Sequence, residues 1–219
     1  MVVRELARFH AAWWHSPRLG EHVWLQRSVD VVRAAIVMAY STIWPAFYER
    51  FGERLSPELR AAGPTLGEKL LPMLDAYAAR PDTLGHGDFR VDNLFFGEAA
   101  HGRPLTVVDW QGCLRVWSGA YDLIYFLAGG LLPQDRRAHE QELIATYHAA
   151  LVEAGVTDYS LDELTHDCRV SLLFAFVVIG VIAGGALDIV NERAVELFNS
   201  MFDRWLPAME DHRVLELLA

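Results

Sequence analysis

A change of pattern in the middle of the chain narrows its architecture more than any other feature. Between residues 81 and 117 the helical periodicity on either side gives way to short runs, "TLGH", "NLFF" and "PLTVVDW". "TLGH" is short and apolar before a polar cluster, "NLFF" reads as a brief strand, and "PLTVVDW" is a β-branched run that ends near a carboxylate. The glycines of "GEAAHGR" suit a hairpin turn between the last two. The expected architecture is mainly α with a small β hairpin island (α+β), in a single domain spanning residues 1–219. Residues 1–80 and 118–219 form its helical parts, and residues 81–117 carry short strands and loops.

The helical parts divide at recognisable signals. Residues 2–15 bring Val3, Leu6, Ala7, His10, Trp13 and Trp14 to one side at helical spacing. No Ser, Thr, Asp or Asn caps this helix, so it reads as entered partway and predicts an upstream region. A long helix is expected over residues 21–51, with new starts at Ser56-Pro57-Glu58 and at Gly63-Pro64-Thr65. Further helices are expected over 134–154, 160–186 and 188–218, broken at Gly155 and at Gly184-Gly185. The uncharged run "VSLLFAFVVIGVIAGGAL", residues 170–187, approaches bilayer-spanning length and carries Gly180 and Gly184 at close-approach spacing. It lacks flanking positive clusters and aromatic belts, and is read as the buried helix of a soluble domain without membrane contact.

Composition restricts the partners. A formal charge of -10, with no clustered Lys and Arg, argues against nucleic acid and leaves a cationic or neutral small molecule as the easier partner. The two cysteines, Cys113 and Cys168, form no disulfide framework or metal pattern, which favours a cytoplasmic setting.

The densest chemistry lies in "HGDFRVDN", from His86 to Asn93. Asp88 and Asn93 stand five residues apart across a loop that enters a strand. Asp109 lies at the end of the next strand and can return to the same edge through the hairpin. Two carboxylates and an amide oxygen suit a hard cation such as Mg²⁺. If Asn93 and Asp109 hold it, Asp88 is left to orient a hydroxyl and accept its proton. The competing reading is an Asx-rich turn whose side chains satisfy loop backbone groups.

"HGDFRVDNLFF", then "VVDWQ", then "GAYDLIYFL" together resemble the carboxyl-terminal lobe of the aminoglycoside phosphotransferase and choline kinase-like superfamily. The resemblance implies a protein-kinase-like fold and transfer of the γ-phosphoryl group of ATP to a small-molecule hydroxyl. It implies Asp88 as the catalytic-loop aspartate, Asn93 and Asp109 as Mg²⁺ ligands that also bind the nucleotide, and His86 as a loop brace. Asp122 would support the site from a helix start, where its alternative is a helix cap. Arg90 and Asp92 match a subgroup reading HGD-x-R-x-DN, in which Arg90 pairs with a neighbouring carboxylate. Trp110 and Trp117 flank the metal strand and read as packing or as the wall of a cation site.

A complete kinase of this kind also has a β-rich amino-terminal lobe with a phosphate-covering loop and a lysine. The only lysine here, Lys69, lies in an expected helix, and no glycine-rich loop between strands precedes the catalytic segment. The chain therefore reads as the carboxyl-terminal lobe alone, with the other lobe lost from the sequence or supplied by a partner or a second copy. Two alternatives stand beside this one, a non-catalytic binding module derived from a kinase and a Mg²⁺-dependent phosphate-ester hydrolase.

Overall fold

The computed structural model describes residues 1–80, 82–97, 104–188 and 190–218. The turn expected from "GEAAHGR" falls mostly outside these residues. Helices dominate and four three-residue strands make up the β island, in keeping with the expected mainly α organisation.

Helix α1 (Val2–Ala12) buries Val3, Leu6, Ala7 and His10 and leaves its other faces to solvent. The next helix differs from expectation. Residues 21–27 are not helical, because Gln26 and Arg27 are drawn to a strand edge where the Arg115 N–H donates to the Gln26 carbonyl at 2.8 Å. α2 (Ser28–Ala35) then passes through a π-helical turn, Ile36–Tyr40, into α3 (Ser41–Phe51).

α4 (Pro57–Ala78) starts where Ser56 caps it, its hydroxyl accepting from the Leu59 N–H at 3.2 Å. The second start expected at Gly63-Pro64 does not occur, and the helix runs through both Pro64 and Pro72. Both prolines face solvent, where carbonyls that lose their helical partners can be hydrated. Gly63 faces inward under Trp44, and a Cβ there would lie 1.9 Å from the indole. Tertiary packing thus keeps helical a segment that local rules would break.

The strands form two antiparallel pairs. β2 (Leu94–Phe96) pairs with β3 (Leu105–Val107) as expected, with Leu94 opposite Val107. β1 (Thr83–Gly85) pairs with β4 (Leu114–Val116), a strand too short and too charged at Arg115 to show in the pattern.

α5 (Ala120–Gly130) is nearly all buried, packing on α7 (Leu161–Ala175) and α8 (Glu192–Asp211), while α6 (Pro133–Glu153) packs on α1. α7 opens with a capping box between Ser160 and Glu163 and continues through a π-helical stretch, Phe176–Ala183. Two helices, Ser28–Arg54 and Leu161–Ala183, are long and apolar enough to cross a membrane by length and composition alone. In the second, Val170, Leu172, Leu173, Phe174, Phe176 and Val177 are sealed inside the helical core. Cys168 is buried in that core and Cys113 is half-buried, neither in a disulfide.

Candidate functional site

The site is built on the loop between β1 and β2, and three different elements grip that loop. From α5, Oδ2 of the fully buried Asp122 accepts the His86 N–H at 2.6 Å and its Oδ1 accepts the Gly87 N–H at 2.9 Å. Gly119 is the residue at the cap position, so the helix-cap alternative for Asp122 is replaced by a carboxylate that holds the loop backbone. From α1, the buried His10 ring lies 3.2 Å from Asp122 through Nε2 and 2.6 Å from the Tyr147 hydroxyl through Nδ1. A ring protonated at Nε2 satisfies both contacts, donating to Asp122 and accepting from Tyr147.

Gly87 makes the turn possible. Its φ is +84°, and a Cβ there would fall 1.9 Å from the Gly112 carbonyl oxygen. The loop therefore sits directly on the segment after Asp109. His86 fastens the same two segments, since Nε2 donates to the Val108 carbonyl at 2.9 Å while Nδ1 accepts the Asp88 N–H at 3.3 Å.

Asp88 is held by three donors. Arg90 Nε reaches Oδ2 at 3.0 Å, Asn93 Nδ2 reaches the same oxygen at 3.2 Å, and the Tyr125 hydroxyl reaches Oδ1 at 3.1 Å. Burial, reinforced by Tyr121 and Asp88 nearby, pushes the Tyr125 phenol well above its ordinary pKa, so it stays a donor. Arg90 also pairs with Asp92 at 3.1 Å. Tyr125 carries no role in the sequence reading. The available signal is its place three residues after Asp122, which puts both on one face of α5.

Asn93 and Asp109 arrive by the hairpin register. The Val108 N–H donates to the Asn93 carbonyl at 3.0 Å, continuing the ladder one step past Leu94 and Val107 and bringing Asp109 to the end where Asn93 sits. Asn93 commits Nδ2 to the Asp88 carbonyl at 2.9 Å as well as to its carboxylate, which leaves the amide oxygen free for a ligand. Asp109 is exposed, adopts the left-handed conformation at φ +66°, and has no hydrogen-bond or ion-pair partner among the described residues. This pair of oxygen donors fits a cation that completes its shell with water and phosphate oxygens. No group of three His, Cys, Asp or Glu able to hold a metal occurs among the described residues.

The two tryptophans separate. Trp117 is core, tilted against Tyr77 and edge-on to Phe174, whereas Trp110 is partly exposed and edge-on to His86 and Phe9.

Beside the loop opens a cleft of about 740 Å³ between Arg90–Asp92, the end of α5 and the face of α8. Its walls include Gly130, Arg193, Leu197 and Arg204. Arg204 donates to the carbonyls of Gly129 and Gly130 at 2.9 and 3.2 Å, closing the end of α5 against α8. The lining carries three arginines, Arg90, Arg193 and Arg204, against Asp92 and Glu196. The charge of this lining is opposite in sign to that of the whole chain.

No curated protein matches the sequence. The family model for the ecdysteroid kinase-like family matches residues 1–157, which include His86, Asp88, Asn93, Asp109 and Asp122 but not the α8 wall of the cleft. That family is kinase-like and related to the phosphotransferase superfamily that the His86–Asn93 segment resembles. With its loop and hairpin inside the matched region, the chain belongs to the ecdysteroid kinase-like family.

Proposed function

We propose that this chain is the acceptor-binding and catalytic part of an ATP-dependent phosphotransferase acting on a hydroxyl of a small molecule. The observation that carries the reading is the Asp88 carboxylate, locked by Arg90, Asn93 and Tyr125, with Arg90 itself lining a cleft large enough for a small organic substrate. In this reading Asp88 orients the acceptor hydroxyl and takes its proton as the oxygen attacks. Arg90 holds the carboxylate in register, and its second bond to Asp92 keeps the guanidinium out of the path of the hydroxyl. Asp122 and His86 keep the loop from drifting, which matters because phosphoryl transfer depends chiefly on positioning. Asn93 and Asp109 would hold Mg²⁺, which on binding would neutralise charge on the phosphate oxygens.

The phosphate-covering loop and its lysine are proposed to come from a further lobe, whether on the same polypeptide or a partner. Lys69, the one lysine, is exposed on α4 and away from the catalytic loop. The face that carries exposed Trp110 next to Asp109 is the surface such a lobe would cover. The same face supports the second reading, a binding module that keeps the loop for its shape.

Titration calorimetry with ATP, with and without Mg²⁺, tests the proposal. Binding that needs Mg²⁺ and is lost in Asp109→Ala is the expected result. Equal binding by the variant removes Asp109 from the site, and no Mg²⁺-dependent binding to a preparation bearing both lobes favours the binding module. Release of phosphate from a simple phosphate ester without nucleotide would favour the hydrolase instead.

A further inference from the structure

A second polar hollow, sharing no residue with the cleft, lies where β1 begins and β4 ends. It measures about 350 Å³ and is lined by Ser16, Arg27, Arg80, Asp82 and Arg115 among others. Three guanidinium groups thus face a single carboxylate. Asp82 is nearly buried and accepts from Arg115 at 2.6 and 3.0 Å through Oδ2, and from Arg27 at 3.2 Å through Oδ1. Arg80 is tied at 2.8 Å to Asp167 behind the hollow, a carboxylate that already accepts the hydroxyls of Tyr77 and Tyr159. His15 lies at the rim, 3.4 Å from exposed Asp158.

These contacts leave donors to spare. Nη1 of Arg27, Nη1 of Arg115, and Nε and Nη2 of Arg80 have no partner among the described residues, and the Ser16 hydroxyl caps nothing. In a chain of net charge -10, a partly shielded hollow with a surplus of guanidinium charge is a local reversal. Arg27 and Arg115 share the single carboxylate of Asp82, so their charge is only partly matched, and an oxyanion completes the match. A carboxylate has two oxygens for this many donors. A phosphoryl group has three, about two negative charges, and the geometry that guanidinium forks engage. The hollow exceeds the size of inorganic phosphate and leaves room for a small organic substituent.

We propose that this hollow binds the phosphoryl group of a small phosphate monoester, at a site distinct from the proposed reaction centre. The placement gives such a ligand a route to the catalytic loop. Asp82 adjoins β1, which runs directly into His86, and Arg115 is the central residue of the strand paired with β1. An anion that draws Arg27, Arg80 and Arg115 together tightens the strand pair on which the loop is mounted.

Thermal unfolding of the full chain at constant ionic strength tests this, with chloride replaced by inorganic phosphate or by glycerol 3-phosphate. The ester should raise Tm by about 5 °C at saturation and inorganic phosphate by less. Arg115→Gln should lose the response, and Ser16→Asp should lose it while folding normally, because the new carboxylate takes up the surplus positive charge and breaks no ion pair. Asp109→Ala should respond like the parent. No rise above the chloride control, an equal rise in Ser16→Asp, or loss of the response in Asp109→Ala would each overturn the proposal, the last by placing the anion at the reaction centre.

Discussion

The Tyr125 hydroxyl donates to Oδ1 of Asp88 at 3.1 Å, so a residue of α5 sets the orientation of the carboxylate proposed to receive the acceptor proton. Tyr125→Phe removes this one bond and little volume. The expected result is a kcat for ATP-dependent phosphorylation reduced about tenfold, as a hydrogen bond to a charged group predicts. KM for ATP should stay the same. An unchanged kcat would mean that Arg90 and Asn93 suffice.

Asp122→Ala strips the partner from two backbone N–H groups and from His10 in a fully buried place. Urea unfolding should show a loss of about 3–5 kcal/mol, the range found when one side of a buried charged network is deleted. A loss below about 1 kcal/mol would show that the loop does not depend on this grip.

Two glycines at positive φ should behave differently when changed to alanine. Gly155, at φ +98°, has no atom within 4 Å of a new Cβ and should cost about 1–2 kcal/mol of backbone strain alone. Gly87→Ala adds the collision with the Gly112 carbonyl and should cost about 3 kcal/mol or more. Comparing the two variants by thermal melts separates strain from crowding, and equal losses would contradict the close approach at Gly87.

Stability should also depend on acid through the cluster at the start of α6. Burial alone would raise the Glu140 carboxyl, but His212, 2.7 Å away, and Arg136 outweigh it and hold it below the usual carboxylate range. Burial would likewise raise Asp211, but Arg137 and Arg136 together hold it low. A carboxylate depressed in the folded state stabilises above its unfolded pKa of about 4, and that stability is lost as pH falls through the folded value. Urea midpoints should therefore fall with pH below about 4, and less steeply in Glu140→Gln than in the parent. Parallel profiles would exclude Glu140 as a source.

The parts of the site that could be read from sequence are those whose geometry is local. The five-residue step from Asp88 to Asn93, and the hairpin that returns Asp109, need only a loop and a two-strand register. The holds exerted by Tyr125 and by His10 with Tyr147 cross between helices, and no spacing within one segment encodes them. The boundary wrongly placed at Gly63-Pro64 has the same origin. Proline is a local breaker, and the packing of Trp44 on Gly63 that overrides it comes from another helix. The missed strand β4 is three residues long with an arginine at its centre, too brief for alternation to register.

One short helix has its two ends in different halves of the proposed reaction. The first turn of α5 holds the His86–Gly87 backbone, and its last residues, Gly129 and Gly130, form cleft wall and take the Arg204 bond from α8. At 1.5 Å per residue these ends are about 15 Å apart on a rigid rod. Changes of substrate taste in this lineage are then freest on α8, where a side chain can be exchanged without tilting that rod. A relative that rebuilt the end of α5 to admit a new substrate would have to reset its catalytic loop in the same evolutionary step.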